Sequence, residues 1–280
     1  MSENKGVPEK RARIVTEPGS LAATGGTVSE DVDADRFDRQ KRVTQWDQAA
    51  IGKQDVLVIG AGALGNEVCK LLFQLGVGRV RVVDFDAVIE ANLNRCVFFT
   101  PQDAKEKALK ADVIARKARQ EYPHTHVTAD CRKVEDLEEH VFQKSTAVFG
   151  CLDNLGARLH VNAQSYGHAP VFDGGTTGFY GKLQVVSAPS SCIECAMSER
   201  DYDLLWKRYS CVGEAIDLID PKAPALATTT SVVAALQVNE FIKHALGQPG
   251  IGGKYVHYDG LTHETQAFDV PKRKTCPVHG

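Results

Sequence analysis

Several groups of residues in this chain have the types and spacings that do chemistry. Gly60-Ala61-Gly62-Ala63-Leu64-Gly65 is a GxGxxG turn. The missing side chains at Gly60 and Gly62 let backbone and ligand approach closely, and the N–H groups and helix dipole at such a turn favour a phosphate. Asp84, in Asp84-Phe85-Asp86, follows about 20 residues later, where the ribose hydroxyls of a nucleotide would be met. Arg95 and Lys110 come next and Arg39 precedes the turn. Such cations suit a triphosphate better than a nicotinamide cofactor, because they stabilise charge that develops as pyrophosphate leaves. Asp153, in Cys151-Leu152-Asp153-Asn154, suits Mg²⁺, which takes one or two carboxylates together with phosphate oxygens. A helix N-cap formed by Asp153 or Asn154 is the rival reading.

Two further groups rest on sulfur. Cys192-x-x-Cys195 and Cys276-x-x-His279 have the spacing of a tetrahedral Cys₃His zinc site, which would tie the C-terminal segment to the sheet. Cys211, in Tyr209-Ser210-Cys211-Val212-Gly213, lies in a polar stretch and is either a nucleophile or an incidental loop thiol. Cys69, Cys96, Cys131 and Cys151 fall in core elements, where a free cysteine acts as a small hydrophobe.

Elements must hold these groups in place. Val56-Leu57-Val58-Ile59 and Val80-Arg81-Val82-Val83 read as buried strands around a helix from Glu67 to Leu75 that stops at Gly76. Residues 35–51 read as a short helical entry and 102–121 as one long helix. Then come a strand at His126–Ala129, a helix over 134–142, a strand at 147–152, a helix near 155–167 and a strand at Val171-Phe172. This alternation predicts a Rossmann-like, doubly wound α/β fold with a mainly parallel sheet. Beyond Gly174-Gly175 the pattern changes to antiparallel strands at 182–187, 254–258 and 265–270, with a helix over 227–246. Residues 1–34 are polar and aperiodic and are expected to form a disordered leader, so the domain is expected to span 35–280.

Composition narrows the function classes. A net charge of -3 over 280 residues argues against a dedicated nucleic-acid binder. There is no apolar run of about 20 residues, so no spanning helix is expected. The N-terminus lacks an apolar signal core, and a cytoplasmic location is the default expectation.

In this order and spacing, Arg-Phe-Asp-Arg-Gln (36–40), the glycine turn, Asp-Phe-Asp, Asn-Leu-Asn-Arg (92–95), Cys-Leu-Asp-Asn and the paired knuckles resemble the ubiquitin-activating-type adenylyltransferases. The resemblance covers about residues 35–280. It implies that MgATP adenylates the C-terminal glycine of a β-grasp protein ending in Gly-Gly, either a ubiquitin-like modifier or a sulfur carrier. It implies that Arg39 reaches the neighbouring subunit's ATP in a homodimer and that Asp84 binds ribose with Asp86 as second acid. It assigns Asn92, Arg95 and Lys110 to phosphates, Asp153 to magnesium, and 198–224 to a crossover loop. Cys211 falls where thioester-forming members keep their cysteine, which brings in a conjugating enzyme. His279 departs from the pattern by replacing the usual last zinc cysteine. An inactive scaffold subunit and an NAD-dependent dehydrogenase are the competing classes. The joint presence of Arg39, Lys110 and Asp153 disfavours the scaffold, and the knuckles and cations disfavour the dehydrogenase.

Overall fold

The computed structural model describes residues 35–198, 200–202 and 224–280. The expected leader, Cys211 and most of the stretch 198–224 lie outside them. The chain divides into two units, Met1–Trp46 and Asp47–Gly280. In the first, helix α1 (Asp38–Lys41) carries Arg39, and the ion pairs Lys41–Asp35 (2.6 Å) and Arg42–Asp38 (2.8 Å) fasten its turn.

The second unit opens with α2 (Gln48–Gly52) and is built on one eight-stranded sheet. Its strands are β1 (Asp55–Ile59), β2 (Arg79–Val83), β3 (His126–Asp130), β4 (Ala147–Gly150), β5 (Val171–Thr177), β6 (Tyr180–Val186), β7 (Lys254–Asp259) and β8 (Glu264–Asp269). The order is β3-β2-β1-β4-β5-β6-β7-β8. Strands β1 to β5 pair in parallel and β5 to β8 antiparallel, as the switch in sequence pattern predicts. Val56, Leu57, Val58 and Ile59 are all buried, because β1 lies mid-sheet with both faces covered and needs an unbroken apolar run. Helix α3 (Ala63–Leu75) follows β1 and ends at Gly76, whose φ of 78° lets its N–H turn back to Leu72 and Phe73.

The long helix expected over 102–121 is instead two helices, α4 (Pro101–Lys105) and α5 (Lys110–Glu121). Lys107 between them takes φ 50°, which no helix continues through. Thr100-Pro101-x-Asp103 supplies a reciprocal N-cap for α4, and Arg116 of α5 reaches back to Asp103 at 2.6 Å. The helix expected over 134–142 is a 3₁₀ turn (Val134–Asp136) followed by α6 (Glu139–Lys144). Strand β4 stops at Gly150, short of Leu152, and β5 runs on through the glycine pair to Thr177. A side chain at Gly174 would collide with Gln237 of α8 (Ala227–Ala245) and one at Gly175 with Arg158 and Lys182, so the glycines make room for neighbouring side chains and the strand runs on.

Two packed layers flank the sheet. On one face α6 and α7 (Leu155–Ser165) bring Val141, Phe142 and Val161 onto Leu57, Ile59, Val148 and Val171, and the same cluster takes in Cys192 and Cys276. Phe149, Phe172 and Phe241 of α8 form an aromatic group with ring centroids 5.3, 5.5 and 6.1 Å apart. No helix among the described residues is long and apolar enough to cross a membrane.

Candidate active site and metal cluster

The glycine turn joins β1 to α3, and its glycines differ in purpose. Gly60 has φ 95°, and a Cβ there would overlap the carbonyl of Cys151 at the end of β4. A Cβ on Gly65 would overlap the carbonyl of Gly60. These two serve close packing of turn, helix and strand. A Cβ on Gly62 would meet nothing within 4 Å. Of the two glycines expected to admit a ligand, only Gly62 faces open space. Gly62 also caps α3 without a side-chain acceptor, which leaves first-turn N–H groups for an anion.

Asn66, buried in α3, braces the turn. Its Nδ2 donates to the carbonyls of Ala61 (2.9 Å) and Gly62 (3.0 Å), and its Oδ1 accepts from Phe98 N (3.1 Å). Only its position one residue after the motif could have flagged it.

Asp84 stands at the end of β2 and accepts from Ala61 N (2.7 Å) and Asp86 N (2.8 Å). Asp84, the expected ribose acid, is thus held by the glycine turn itself. Burial pushes its carboxyl up, opposed by the charge of Lys110 and by these two N–H groups. Lys110, buried at the first residue of α5, pairs with the Asp86 carboxylate at 2.6 Å. The break between α4 and α5 makes this possible, because it brings a helix start back to the end of β2. Asn92 is buried and spends its Oδ1 on Ile89 N (3.1 Å), so in this state it orders the loop. Arg95 is half-buried and donates to the Ala91 carbonyl and the Asn94 side chain.

Beyond β4, Asn154 is the cap of α7, accepting from Ala157 N at 3.1 Å. The capping alternative is thereby settled for Asn154. Asp153 is exposed, with no polar partner among the described residues that competes for its carboxylate. Arg158, one turn into α7, is buried and donates to Asp173 of β5, to the carbonyl of Leu152 and to that of Gly174 (2.8 Å). It clamps the residue before Asp153 to the next strand. Gln237 adds a second buried clamp, donating to the carbonyls of Phe172 (2.7 Å) and Gly150 (3.2 Å). An Asp inside an apolar strand run was the sequence signal for the first clamp; Gln237 in α8 gave none.

The glycine turn, Asp84, the Asp86–Lys110 pair and Asp153 therefore gather at the carboxyl ends of β1, β2 and β4. The strand order reverses between β1 and β4, and open α/β sheets bind ligands in the crevice at such a point. Arg39 belongs to the other unit, and Cys211 lies outside the described residues.

The thiol–imidazole group is separate. Cys192, Cys195, Cys276 and His279 put one ligand atom each within 4.8 Å of the others. Cys192 Sγ lies 3.9 Å from Cys195 Sγ and 3.5 Å from Cys276 Sγ, and Cys195 Sγ is 3.2 Å from His279 Nε2. Tetrahedral thiolates at a metal–sulfur distance of about 2.3 Å stand roughly 3.8 Å apart, so this set fits one ion. His279 stacks on Tyr166, the residue that follows α7, with centroids 4.8 Å apart. Asn162 Oδ1, on α7 itself, accepts from Ile193 N (3.1 Å), and Arg273 N–H points at Cys195 Sγ (3.5 Å).

Comparison with known proteins agrees with this architecture. The ThiF family model matches residues 37–278. Human ubiquitin-like modifier-activating enzyme 1 is 35% identical over 163 residues, covering 54% of this chain and 15% of that protein. The Drosophila melanogaster Nedd8-activating enzyme E1 catalytic subunit is 34% identical over 160 residues, 52% of this chain and 35% of its own length. The chain thus spans a minor part of these curated relatives. Among solved structures, E. coli MccB with ATP superposes with TM-score 0.72 at 19% identity, covering 91% of this chain and 77% of that one, a likeness of fold.

Proposed function

Because the chain belongs to the ThiF family, we propose that it is an ATP-dependent adenylyltransferase acting on the C-terminal glycine of a β-grasp protein. The observation that carries this reading is the gathering of the Gly62 turn, Asp84, Lys110 and Asp153 at one reversal point of the sheet. A dehydrogenase would use the turn and Asp84 and leave Lys110 and Asp153 without a task.

The chemistry follows from charge. A carboxylate is a poor electrophile, and attack on the α-phosphate makes it a mixed anhydride while pyrophosphate departs. The N–H groups at Gly62 receive a phosphate and Asp84 accepts from the ribose. Lys110 exchanges Asp86 for a phosphate oxygen, and Arg95 adds positive charge from the neighbouring loop. Asp153 would hold magnesium, which would supply positive charge to offset that of the departing pyrophosphate. Arg39 serves the site of the partner subunit in a homodimer. Orientation of two anions against each other supplies much of the rate. Zinc in the Cys192, Cys195, Cys276 and His279 set plays a structural part.

The finer reading is a modifier-activating enzyme. Cys211 attacks the acyl-adenylate through its thiolate, forms a thioester with loss of AMP, and passes the cargo to a conjugating enzyme in the cytoplasm. A sulfur-carrier adenylyltransferase shares the first step and needs no Cys211. Pyrophosphate exchange into ATP that depends on a Gly-Gly-ending protein tests the first step, and its absence overturns the proposal. A reducible adduct lost in Cys211→Ala separates the two branches.

A further inference from the structure

A second cationic position lies two strands beyond β4 and the crevice. Lys182 of β6 sits between Gly175 of β5 and His257 of β7 in the strand register. Neither neighbour is an acid. A Cβ built on Gly175 would stand 2.9 Å from both Arg158 Nη2 and Lys182 Cε, so the two cationic side chains converge over that glycine. Among the described residues, the carboxylate that acts on Lys182 is Asp173, which already pairs with Arg158. Lys182 makes no ion pair or hydrogen bond among the described residues. Burial, and then the charge of Arg158, weaken its hold on its proton, with Asp173 opposing.

A half-buried ammonium next to a committed guanidinium is costly unless an anion arrives. The arrangement is also continuous with the crevice. Arg158 Nη2 holds the carbonyl of Leu152, the residue before Asp153. An anion on Lys182 would therefore lie one side chain away from the Asp153 loop. The wall on this face of β6 and β7 includes Tyr180 stacked on His257 (centroids 6.0 Å apart), with Tyr180 exposed.

We propose that Lys182, flanked by Arg158, receives the terminal carboxylate of the polypeptide cargo and so selects a free C-terminus. This rests on the adenylyltransferase reading and names a residue that sets its substrate. Lys182 is a recognition group: its ammonium pairs with the carboxylate and leaves the nucleotide groups untouched.

The test uses the full chain without ATP. Two synthetic peptides with the same sequence ending in Gly-Gly, one a free acid and one a C-terminal amide, are titrated by fluorescence anisotropy. The wild type is expected to prefer the acid by about tenfold or more, as a charge-assisted bond to a carboxylate implies. Lys182→Gln is expected to erase the preference and Lys182→Arg to keep most of it, with unchanged melting temperatures in both. A wild type that shows no preference, or no binding of the acid at millimolar concentration, overturns the proposal. So does a preference that survives in Lys182→Gln. Pyrophosphate exchange measured in parallel keeps the two claims apart. Failed exchange with intact acid preference removes the activity and leaves the carboxylate site standing.

Discussion

The two glycines at the nucleotide turn should respond in opposite ways to the same added methyl group. In Gly60→Ala the new Cβ forces a residue with φ 95° into a region that L side chains resist, at a cost of roughly 1–2 kcal/mol. It also lies 2.9 Å from the carbonyl carbon of Cys151, backbone that cannot rotate aside, which adds about 1–3 kcal/mol of overpacking. The expected total is about 2–5 kcal/mol, a large part of the stability of an ordinary domain. In Gly62→Ala the methyl enters open space, and the loss is about 0.5–1 kcal/mol because alanine is a poorer N-cap than glycine. That space is where a phosphate must come, so ATP affinity should fall at least tenfold, about 1.4 kcal/mol. Urea unfolding with equal slopes reports the first quantity, and calorimetric titration of ATP the second. Wild-type stability in Gly60→Ala would refute the packing argument. Wild-type ATP affinity in Gly62→Ala would remove the phosphate from this turn.

Other expectations follow from single contacts. Asp153→Asn should leave the melting temperature unchanged, since Asn154 caps α7, and should cut pyrophosphate exchange at least a hundredfold; a fully active variant would exclude Asp153 from metal binding. Arg39→Ala should be inactive alone, yet an equal mixture with Asp153→Asn, after subunit exchange, should recover roughly a quarter of wild-type exchange, because half of the dimers then hold one complete site; no recovery argues against an arginine supplied in trans. Burial pushes the Asp103 carboxyl up, but hydrogen bonds from Thr100 and Arg116 outweigh it and hold it below 3.8. Its stabilisation is therefore complete above the unfolded value and lost as pH falls through the lower folded one. Asp103→Asn should cost about 1–2 kcal/mol at pH 7 and nothing near pH 2, and a pH-independent gap would show that charge has no part. Cys276→Ser should release bound zinc, read by a chromogenic chelator, and lower the unfolding midpoint, whereas unchanged metal content would dissolve the site.

The parts of the fold legible in the sequence are those governed by local rules. Val56–Ile59 could only be a central strand, GxGxxG could only turn into a helix, and Cys-x-x-Cys with Cys-x-x-His could be paired across 84 residues by spacing alone. What escaped depends on tertiary contact. The break at Lys107 needs no proline or glycine, because Arg116 and Thr100 hold Asp103 and fold α4 back. The glycine pair at which the pattern changes lies within β5, and its reason is tertiary, since Gln237 lies against Gly174 and Arg158 against Gly175. Arg158 and Lys182 are ordinary surface residue types whose burial no pattern announces. Asp84, Lys110 and Asp153, the expected nucleotide groups, are legible because each lies at or near a strand or helix end. Asn66 and Gln237 were missed because they sit inside helices.

Helix α7 has a property beyond capping one loop. Its first turns carry Asn154 and Arg158, which fix the backbone around Asp153; its last turn carries Asn162 and leads into Tyr166, and these touch Ile193 and His279. An α-helix transmits a shift along its axis with little give, and this one has only 11 residues between two anchored ends. Damage at the sulfur end, by oxidation for instance, would travel down this rod and arrive at the carboxylate as a misplacement. Redox injury at a distance and loss of catalytic geometry would then be one event.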